Sequence, residues 1–137
     1  MKSLGPITNL TIHCAATPAG RDVKAATVSA WDQARFGQTS YHHVVELDGT
    51  AVRTLPDDTL GAHVGGHNHG NVGVCYIGGV DALGHKPADT RTTAQRATLR
   101  AIVERYRTAH PDLVVRGHRD WPGVVKACPS FDVATAL

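Results

Sequence analysis

Three side chains suited to binding a metal ion lie near opposite ends of this 137-residue chain. His13 is close to the start, whereas His118 and Cys128 belong to the last quarter. Two imidazoles and one thiolate match the donor preferences of zinc, and three protein ligands leave one coordination position open, as in catalytic zinc sites. If the three hold one ion, the fold must bring the two ends of the chain together.

Length and composition predict one globular domain spanning residues 1–137. The chain is 42% apolar and 19% charged, which is ordinary for a folded protein, and its net charge of +2 gives no strong nucleic-acid footprint. We find no apolar run of the roughly 20 residues that cross a bilayer and no signal peptide, so we expect cytoplasmic synthesis. Three cysteines do not resemble a disulfide framework.

Five short apolar or alternating segments are predicted as strands. They are residues 7–14, 41–47, 50–55, 72–77 and 113–115. Asp48-Gly49, between the second and third, is a strong hairpin signal, and the Gly-, His- and Asn-rich stretch 61–71 predicts a loop. Strands interleaved with helices predict an α/β fold with a mixed sheet, and side chains that carry chemistry on its loops should lie at one rim of that sheet.

Two helices are predicted. In the second, Thr92 and Gln95 form a capping pattern ahead of a regular apolar stripe, and the helix ends near His110. The first covers residues 21–36 and stops at Gly37. We expect its buried stripe to consist of Val23, Ala26, Ala30, Trp31 and Ala34.

Strand parity separates the side chains around the candidate metal ligands. In strand 7–14, Cys14 falls on the apolar face and His13 on the opposite face, toward a cleft. Cys128 precedes Pro129, which favours extended geometry, so Lys126 and Cys128 should face the same side. The sequence therefore predicts that the Lys126 ammonium lies beside the Cys128 thiolate that would bind the metal.

Several other residues receive ordinary structural interpretations. Cys14 and Cys75 are expected to be buried thiols, and Trp121 fits packing and substrate contact equally well. His43 is expected to approach the groove, whereas Glu46 is expected to point away from it.

Taken singly, a histidine is more often solvated than bound to a metal, and a buried cysteine more often acts as a small apolar side chain than as a ligand. A rival metal cluster of His63, His67 and His69 lies in one glycine-rich loop. No carboxylate or cysteine accompanies it, and a flexible loop fixes ligand geometry poorly.

The motifs resemble those of the zinc-dependent N-acetylmuramoyl-L-alanine amidases, a family that includes phage lysozyme-amidases and animal peptidoglycan-recognition proteins. The likeness is strongest to the small single-domain amidases of short-tailed coliphages and runs from Ile12 to Asp132. The motifs are Ile12-His13-Cys14-Ala15-Ala16-Thr17, Ser40-Tyr41-His42-His43-Val44-Val45, Asp48-Gly49-Thr50, Gly61-Ala62-His63, His67-Asn68-His69, Val72-Gly73-Val74-Cys75 and Lys126-Ala127-Cys128-Pro129-Ser130-Phe131-Asp132.

The resemblance implies a role for each matching position. It implies an α/β fold with a mixed central β-sheet flanked by helices, and one Zn²⁺ held in a surface groove by His13, His118 and Cys128. Tyr41 and Lys126 match the catalytic tyrosine and lysine of the family. His63 and Asn68 match positions that line its substrate groove.

The implied activity is hydrolysis of the amide between N-acetylmuramic acid and L-alanine in peptidoglycan, as a phage endolysin. Lys126 would stabilise the oxyanion and Tyr41 would orient water or the intermediate. We expect a monomer that waits in the host cytoplasm, without membrane insertion or nucleic acid, until a holin opens the membrane.

Two other function classes remain alternatives. A muropeptide-binding module without catalysis is expected to lack the cysteine ligand, which is present here as Cys128. Inhibition of a phage RNA polymerase is known in the coliphage amidases but uses an N-terminal segment, and the stretch before His13 is short.

Overall fold

A five-stranded mixed sheet forms the centre of the computed structural model, which describes residues 2–137. The strands are β1 (Asn9–Cys14), β2 (Thr17–Pro18), β3 (His43–Val45), β4 (Ala51–Arg53), β5 (Asn71–Tyr76), β6 (Gly79–Val80) and β7 (Val114–Gly117). The sheet order is β4-β3-β5-β1-β7, and β2 and β6 form a separate small pair. All pairings in the main sheet are parallel except β3–β4, so the predicted α/β class with a mixed sheet is confirmed.

Alternate residues of the central strands enter two different cores, one on each face of the sheet. On one face, Val72 and Val74 of β5 join Leu10 and Ile12 of β1. On the other face, Cys75 of β5 lies in a smaller core beneath the first helix. The expectation that Cys14 and Cys75 are buried free thiols is confirmed. Period-two alternation thus gives β5 two buried faces, as a central strand requires.

Helix α2 (Thr93–Ala109) covers the larger core as predicted. Thr92 accepts a hydrogen bond from the Gln95 main-chain N–H, and the Gln95 side chain accepts one from the Thr92 N–H. This capping box satisfies two N–H groups that lack helical partners. The predicted apolar stripe is buried: Leu99, Ile102, Val103 and Tyr106.

Helix α1 (Ala25–Phe36) ends at Gly37 as predicted, with that glycine at φ 72°, but it begins after the predicted residue 21, and only Val23 of its predicted stripe is buried. Ala26, Ala30, Trp31 and Ala34 are exposed. Only Ala25 and Val28 of the helix are buried, next to Val23 in the preceding turn. The alanines have too little apolar surface to fix the orientation of the helix, and the larger valines determine which side packs.

The hairpin of β3 and β4 turns at Asp48-Gly49 as predicted, although both strands are shorter than expected. Gly49 has φ 88°, a conformation that favours glycine, and its N–H donates to the Glu46 carbonyl. The Glu46 carboxylate accepts the main-chain N–H of Ala25 at the start of α1, 2.8 Å away. Glu46 therefore does not line the groove, as expected, although it lies on the same side of the sheet as Tyr41, and the predicted opposition of these two side chains is wrong.

The C-terminal segment packs back onto the sheet and ends in a short helix, α3 (Val133–Ala136). Arg91, whose side chain is fully buried, anchors it by donating to the Ala136 carbonyl and lying 3.4 Å over the Phe131 ring. Asp89 balances the charge of Arg91. Across residues 2–137, no helix is long and apolar enough to cross a membrane.

Candidate metal centre and groove

Strand pairing brings the three predicted metal ligands together. His13 is the penultimate residue of β1, and His118 directly follows β7, which lies beside β1 with Ile12 opposite Gly117. Cys128 arrives from the C-terminal segment, where the Cys14 main-chain N–H donates to its Sγ at 3.2 Å. One donor atom from each of His13, His118 and Cys128 lies within 4.8 Å of the other two.

The donor geometry fits a zinc ion. His13 Nδ1 is 3.8 Å from Cys128 Sγ. With Zn–S near 2.3 Å and Zn–N near 2.0 Å, tetrahedral ligands of one ion lie roughly 3.5 Å apart. The neighbouring Cys14 side chain and burial raise the pKa of Cys128, whereas the Cys14 main-chain N–H opposes this rise, and a metal that binds the thiolate displaces the thiol proton. The two imidazoles and one thiolate therefore suit zinc in number, type and spacing.

The rival cluster of loop histidines does not form. Among residues 2–137, no second group of three potential ligands gathers in this way. His63 turns inward toward His13, whereas His67 stacks on Trp121 with ring centroids 4.6 Å apart. His69 is exposed. The three side chains therefore lie in different surroundings and do not form one metal site.

His63 links the candidate ligand His13 to the main chain of β5. Its Nδ1 lies 2.9 Å from His13 Nε2, and its Nε2 lies 2.9 Å from the Asn71 carbonyl. Burial lowers the pKa of His63 to about 3, and burial followed by the charges of His63 and His118 holds the pKa of His13 well below its usual value. Both imidazoles are therefore neutral near pH 7 and able to share hydrogen bonds.

The loop that carries His63 is ordered by Asn68. The Asn68 side-chain oxygen accepts the main-chain N–H groups of His63 and Val64, at 2.9 and 2.8 Å. Asn68 is half-buried, and together with Lys126 it lines a second cavity next to the main groove.

The groove above the three candidate ligands encloses about 300 Å³. Tyr41, Lys126 and His63 line it. Helix α1 forms a wall of the groove and presents four residues to it at helical spacing: Val28, Trp31, Asp32 and Arg35. The next residue, Phe36, lines it too.

Tyr41 and Lys126 bring different chemistry to this groove. The Tyr41 ring lies 5.1 Å from the His13 ring, centroid to centroid, and burial holds the Tyr41 pKa well above its usual value. The phenol therefore keeps its proton near pH 7 and is able to donate a hydrogen bond. Lys126 is exposed, and its positive charge adds to burial in lowering the pKa of His118.

Sequence reasoning missed the groove wall contributed by α1. Trp31 was expected to pack inside the protein, yet it is 46% exposed, and Phe36 is 51% exposed. The i, i+3, i+4, i+7 spacing of residues 28, 31, 32 and 35 was present in the sequence as a signal. It mixes charged with apolar residues, and for that reason it does not look like a buried stripe.

Two further expectations are settled by side-chain contacts. His43 was expected to approach the groove, but its Nε2 lies 2.7 Å from the Tyr106 hydroxyl on the α2 side of the sheet, so that expectation is wrong. Strand parity had placed His43 on the side of Tyr41, two residues earlier, but β3 begins only at His43, so the alternation does not extend back to Tyr41. Trp121, which fitted either role, is 9% exposed and donates from its indole N–H to Thr11, so packing prevails.

A protein-family model and the sequence relatives of this chain agree with one another. A family model described as N-acetylmuramoyl-L-alanine amidase matches residues 3–131. The endolysin of Enterobacteria phage K11 is 36% identical over 123 residues, covering 89% of this chain and 80% of the relative. The endolysin of Escherichia phage T7 is 32% identical over the same length and the same shares of the two chains.

Solved structures share the fold. The N-acetylmuramoyl-L-alanine amidase LysC from Clostridium intestinale superposes with a TM-score of 0.77 at 18% identity, covering 94% of this chain and 80% of LysC. Bumblebee PGRP-SA superposes with a TM-score of 0.76 at 18% identity, covering 94% of this chain and 79% of that one. Both likenesses concern the fold alone.

Proposed function

The chain belongs to the N-acetylmuramoyl-L-alanine amidase family, and we propose that it hydrolyses peptidoglycan with one zinc ion held by His13, His118 and Cys128. The bond cleaved joins the lactyl group of N-acetylmuramic acid to the L-alanine of the stem peptide. Water adds across this amide. Its oxygen becomes part of a new lactyl carboxylate, and the nitrogen leaves as the amine of L-alanine.

The observation that carries the proposal is the convergence of the three donors from both ends of the chain at one groove. Two histidines and a cysteine with neighbouring Tyr41 and Lys126 form a set that fits catalysis on an amide. A structural zinc site would use four protein ligands and leave no position for a reactant.

A zinc ion bound there supplies Lewis acidity, which polarises a carbonyl and lowers the pKa of water. Lys126 then holds a positive charge at the groove, where the amide oxygen gains negative charge in the transition state. Removing one such stabilising group typically raises the barrier by about 3 kcal/mol.

Tyr41 acts as a hydrogen-bond donor. Because its pKa is raised, its phenol does not take a proton from water near pH 7. Instead, the Tyr41 hydroxyl donates a hydrogen bond to the reacting oxygen and holds this oxygen near the candidate ligand His13. Glu46 supplies no general base, since it binds the start of α1.

The wall formed by α1 faces the substrate in this proposal. Trp31 and Phe36 offer flat apolar surfaces to the less polar face of a sugar ring or to peptide methyl groups. Arg35, beside them, suits a carboxylate of the stem peptide. His63 and Asn68, which match substrate-groove positions of the family, border the groove through their loop.

The biological setting follows from the endolysin relatives. We propose that the chain works as a single catalytic domain, residues 1–137, and causes lysis of the host cell. It would accumulate in the host cytoplasm as a monomer and reach the wall after a holin opens the membrane. Neither nucleic acid nor stable membrane insertion has a part in this activity.

The deciding experiment is mass spectrometry of muropeptides from purified walls after digestion with the zinc-loaded protein. We expect separated glycan chains and stem peptides with new L-alanine amino termini. Cys128→Ala is the matched control, and we expect it to lose both zinc and cleavage. Intact amide bonds after digestion with folded, zinc-loaded protein would refute the amidase and favour a module that only binds muropeptides.

Inhibition of a phage RNA polymerase is a separate question from hydrolysis. A pull-down with the polymerase from the same phage tests it directly. We expect no retained polymerase.

A further inference from the structure

We propose that His63 is a positioning residue that holds His13 in the tautomer and orientation in which its Nδ1 binds the metal. The inference rests on the proposed zinc site and assigns a role to a residue that contributes no metal ligand of its own. It explains why a second histidine is buried directly behind a candidate ligand.

The proton positions follow from the Asn71 carbonyl. A carbonyl oxygen accepts hydrogen bonds but does not donate them, so the Nε2 of His63, 2.9 Å away, must carry the hydrogen. In a neutral ring the other nitrogen, Nδ1, is then an acceptor. It accepts from His13 Nε2 at 2.9 Å, which leaves His13 Nδ1 without a hydrogen.

The bare nitrogen of His13 is the one that faces the metal position. His13 Nδ1 lies 3.8 Å from Cys128 Sγ, whereas Nε2 is turned to His63. Metal-bound histidines commonly donate their second ring N–H to a carbonyl or carboxylate, which fixes tautomer and ring orientation. Here the acceptor for His13 is the imidazole of His63, which in turn donates to the Asn71 carbonyl.

The His63 ring is held on several sides. Asn68 fixes its main chain, as described above. Below the ring lies Gly73 of β5, where an added Cβ would come within 2.8 Å of His63 Cγ and Cδ2. Gly61 is also close, since a Cβ there would lie 3.1 Å from His63 Cδ2. These contacts leave His63 little freedom to rotate away from His13.

Loss of His63 would leave the Nε2–H of His13 buried without an acceptor, because His13 is only 1% exposed. Rotation of the His13 ring, or transfer of its hydrogen to Nδ1, would relieve this cost. Either change removes the lone pair that faces Cys128. The effect of His63 on the metal is therefore indirect and acts through His13.

Nitrogen-15 NMR of the zinc-stripped protein tests the proton positions without reference to catalysis. In the wild-type protein near pH 7, we expect His13 and His63 both to carry hydrogen on Nε2 and a bare Nδ1. Observation of the Nδ1–H form of His13 in the folded protein would overturn the inference. This result is informative even if substitutions at position 63 impair folding.

Zinc affinity, measured by competition with a chromophoric chelator, tests the consequence. We expect His63→Leu to weaken zinc binding by roughly 10- to 100-fold, the usual effect of losing such a partner. His63→Asn should restore much of it, since the amide oxygen can replace Nδ1 as acceptor. His67→Leu in the same loop is the matched control and should bind zinc like the wild-type protein.

The two proposals fail in different ways. Wild-type protein that binds no zinc would refute the proposed zinc site. Zinc-binding, active wild-type protein together with a folded His63→Leu variant of unchanged zinc affinity would refute only the positioning role of His63.

Discussion

At the scale of single residues, charge is distributed unevenly around the candidate metal centre. The imidazoles of His13 and His63 are buried and neutral, whereas the ammonium of Lys126 is exposed to the groove. A positive charge at the groove is able to respond to negative charge on the substrate, and the neutral rings behind it are not. Lys126 is therefore the residue whose loss should affect rate and not metal binding.

We expect Lys126→Ala to keep its zinc and to lose about 100-fold in kcat, equivalent to about 3 kcal/mol of barrier. Zinc content by elemental analysis and turnover of a soluble muropeptide provide the two measurements. Lys126→Arg, which retains the charge, should be less impaired than the alanine variant. Full turnover by Lys126→Ala would show that the oxyanion role is wrong.

His43 gives the protein a pH-dependent stability unrelated to the groove. Burial, followed by the positive charge of Arg53, lowers the pKa of His43 to about 4, whereas an unfolded histidine titrates near 6.5. Below pH 6.5 the unfolded chain binds a proton that the native protein does not. Stability from this group is complete above pH 6.5 and is lost as pH falls toward 4.

Between pH 7 and pH 5, we expect His43 to remove about 2 kcal/mol from the free energy of unfolding. Urea denaturation at the two pH values measures this loss. The His43→Gln side chain cannot titrate. The free energy of unfolding of this variant should therefore fall by about 2 kcal/mol less than that of the wild-type protein between pH 7 and pH 5. Equal losses in the two proteins would contradict the assignment, because the other histidines titrate in both.

At the scale of elements, the two long helices, α1 and α2, relate differently to the sheet. Helix α2 buries a continuous stripe and is fixed by its capping box. Helix α1 buries only Ala25 and Val28 and turns its C-terminal half to the groove. An element that packs through so few residues is free to carry exposed aromatic and charged side chains for binding.

The two tryptophans should separate these roles. We expect Trp31→Ala to raise KM for a muropeptide by roughly tenfold, or about 1.4 kcal/mol, and to change unfolding free energy by less than about 0.5 kcal/mol. Trp121→Ala should destabilise the fold by about 3 kcal/mol, because its buried ring bonds Thr11. Steady-state kinetics and urea denaturation of both variants provide the comparison. An unchanged KM for Trp31→Ala would show that the α1 wall does not contact the substrate.

At the scale of the whole molecule, the proposed zinc ion connects the start of the chain to its end. His13 lies in β1, and Cys128 lies in the segment that Arg91 and Phe131 hold against the sheet. An ion that binds the native state and not the unfolded chain adds its binding free energy to stability. Zinc should therefore contribute to the fold as well as to hydrolysis.

We expect chelation of zinc to abolish hydrolysis and to lower the Tm by roughly 10 °C, with both restored by added zinc. Thermal unfolding with and without chelator measures the shift. Cys128→Ala is the control, since a protein without bound zinc should show no such shift. An equal response to chelator in both proteins would mean that the stabilising ion is bound elsewhere.

The sequence alone determined the features that depend on neighbouring residues. The capping box needs Thr92 and Gln95 three positions apart, the hairpin turn needs Asp48-Gly49, and strand parity placed His13 opposite Cys14. Distinctive motifs at both ends also identified the family and the three candidate ligands. Their metal-binding role remains a prediction.

Only the tertiary structure decided which distant residues meet and which helix face is exposed. The hydrogen bond between His13 and His63 joins residues 50 positions apart, and no local pattern encodes it. The orientation of α1 depended on how Val23 and Val28 fit the smaller core, because the exposed alanines contributed too little burial to choose a side. Contacts between separate elements are set by packing, and packing is a property of the whole fold.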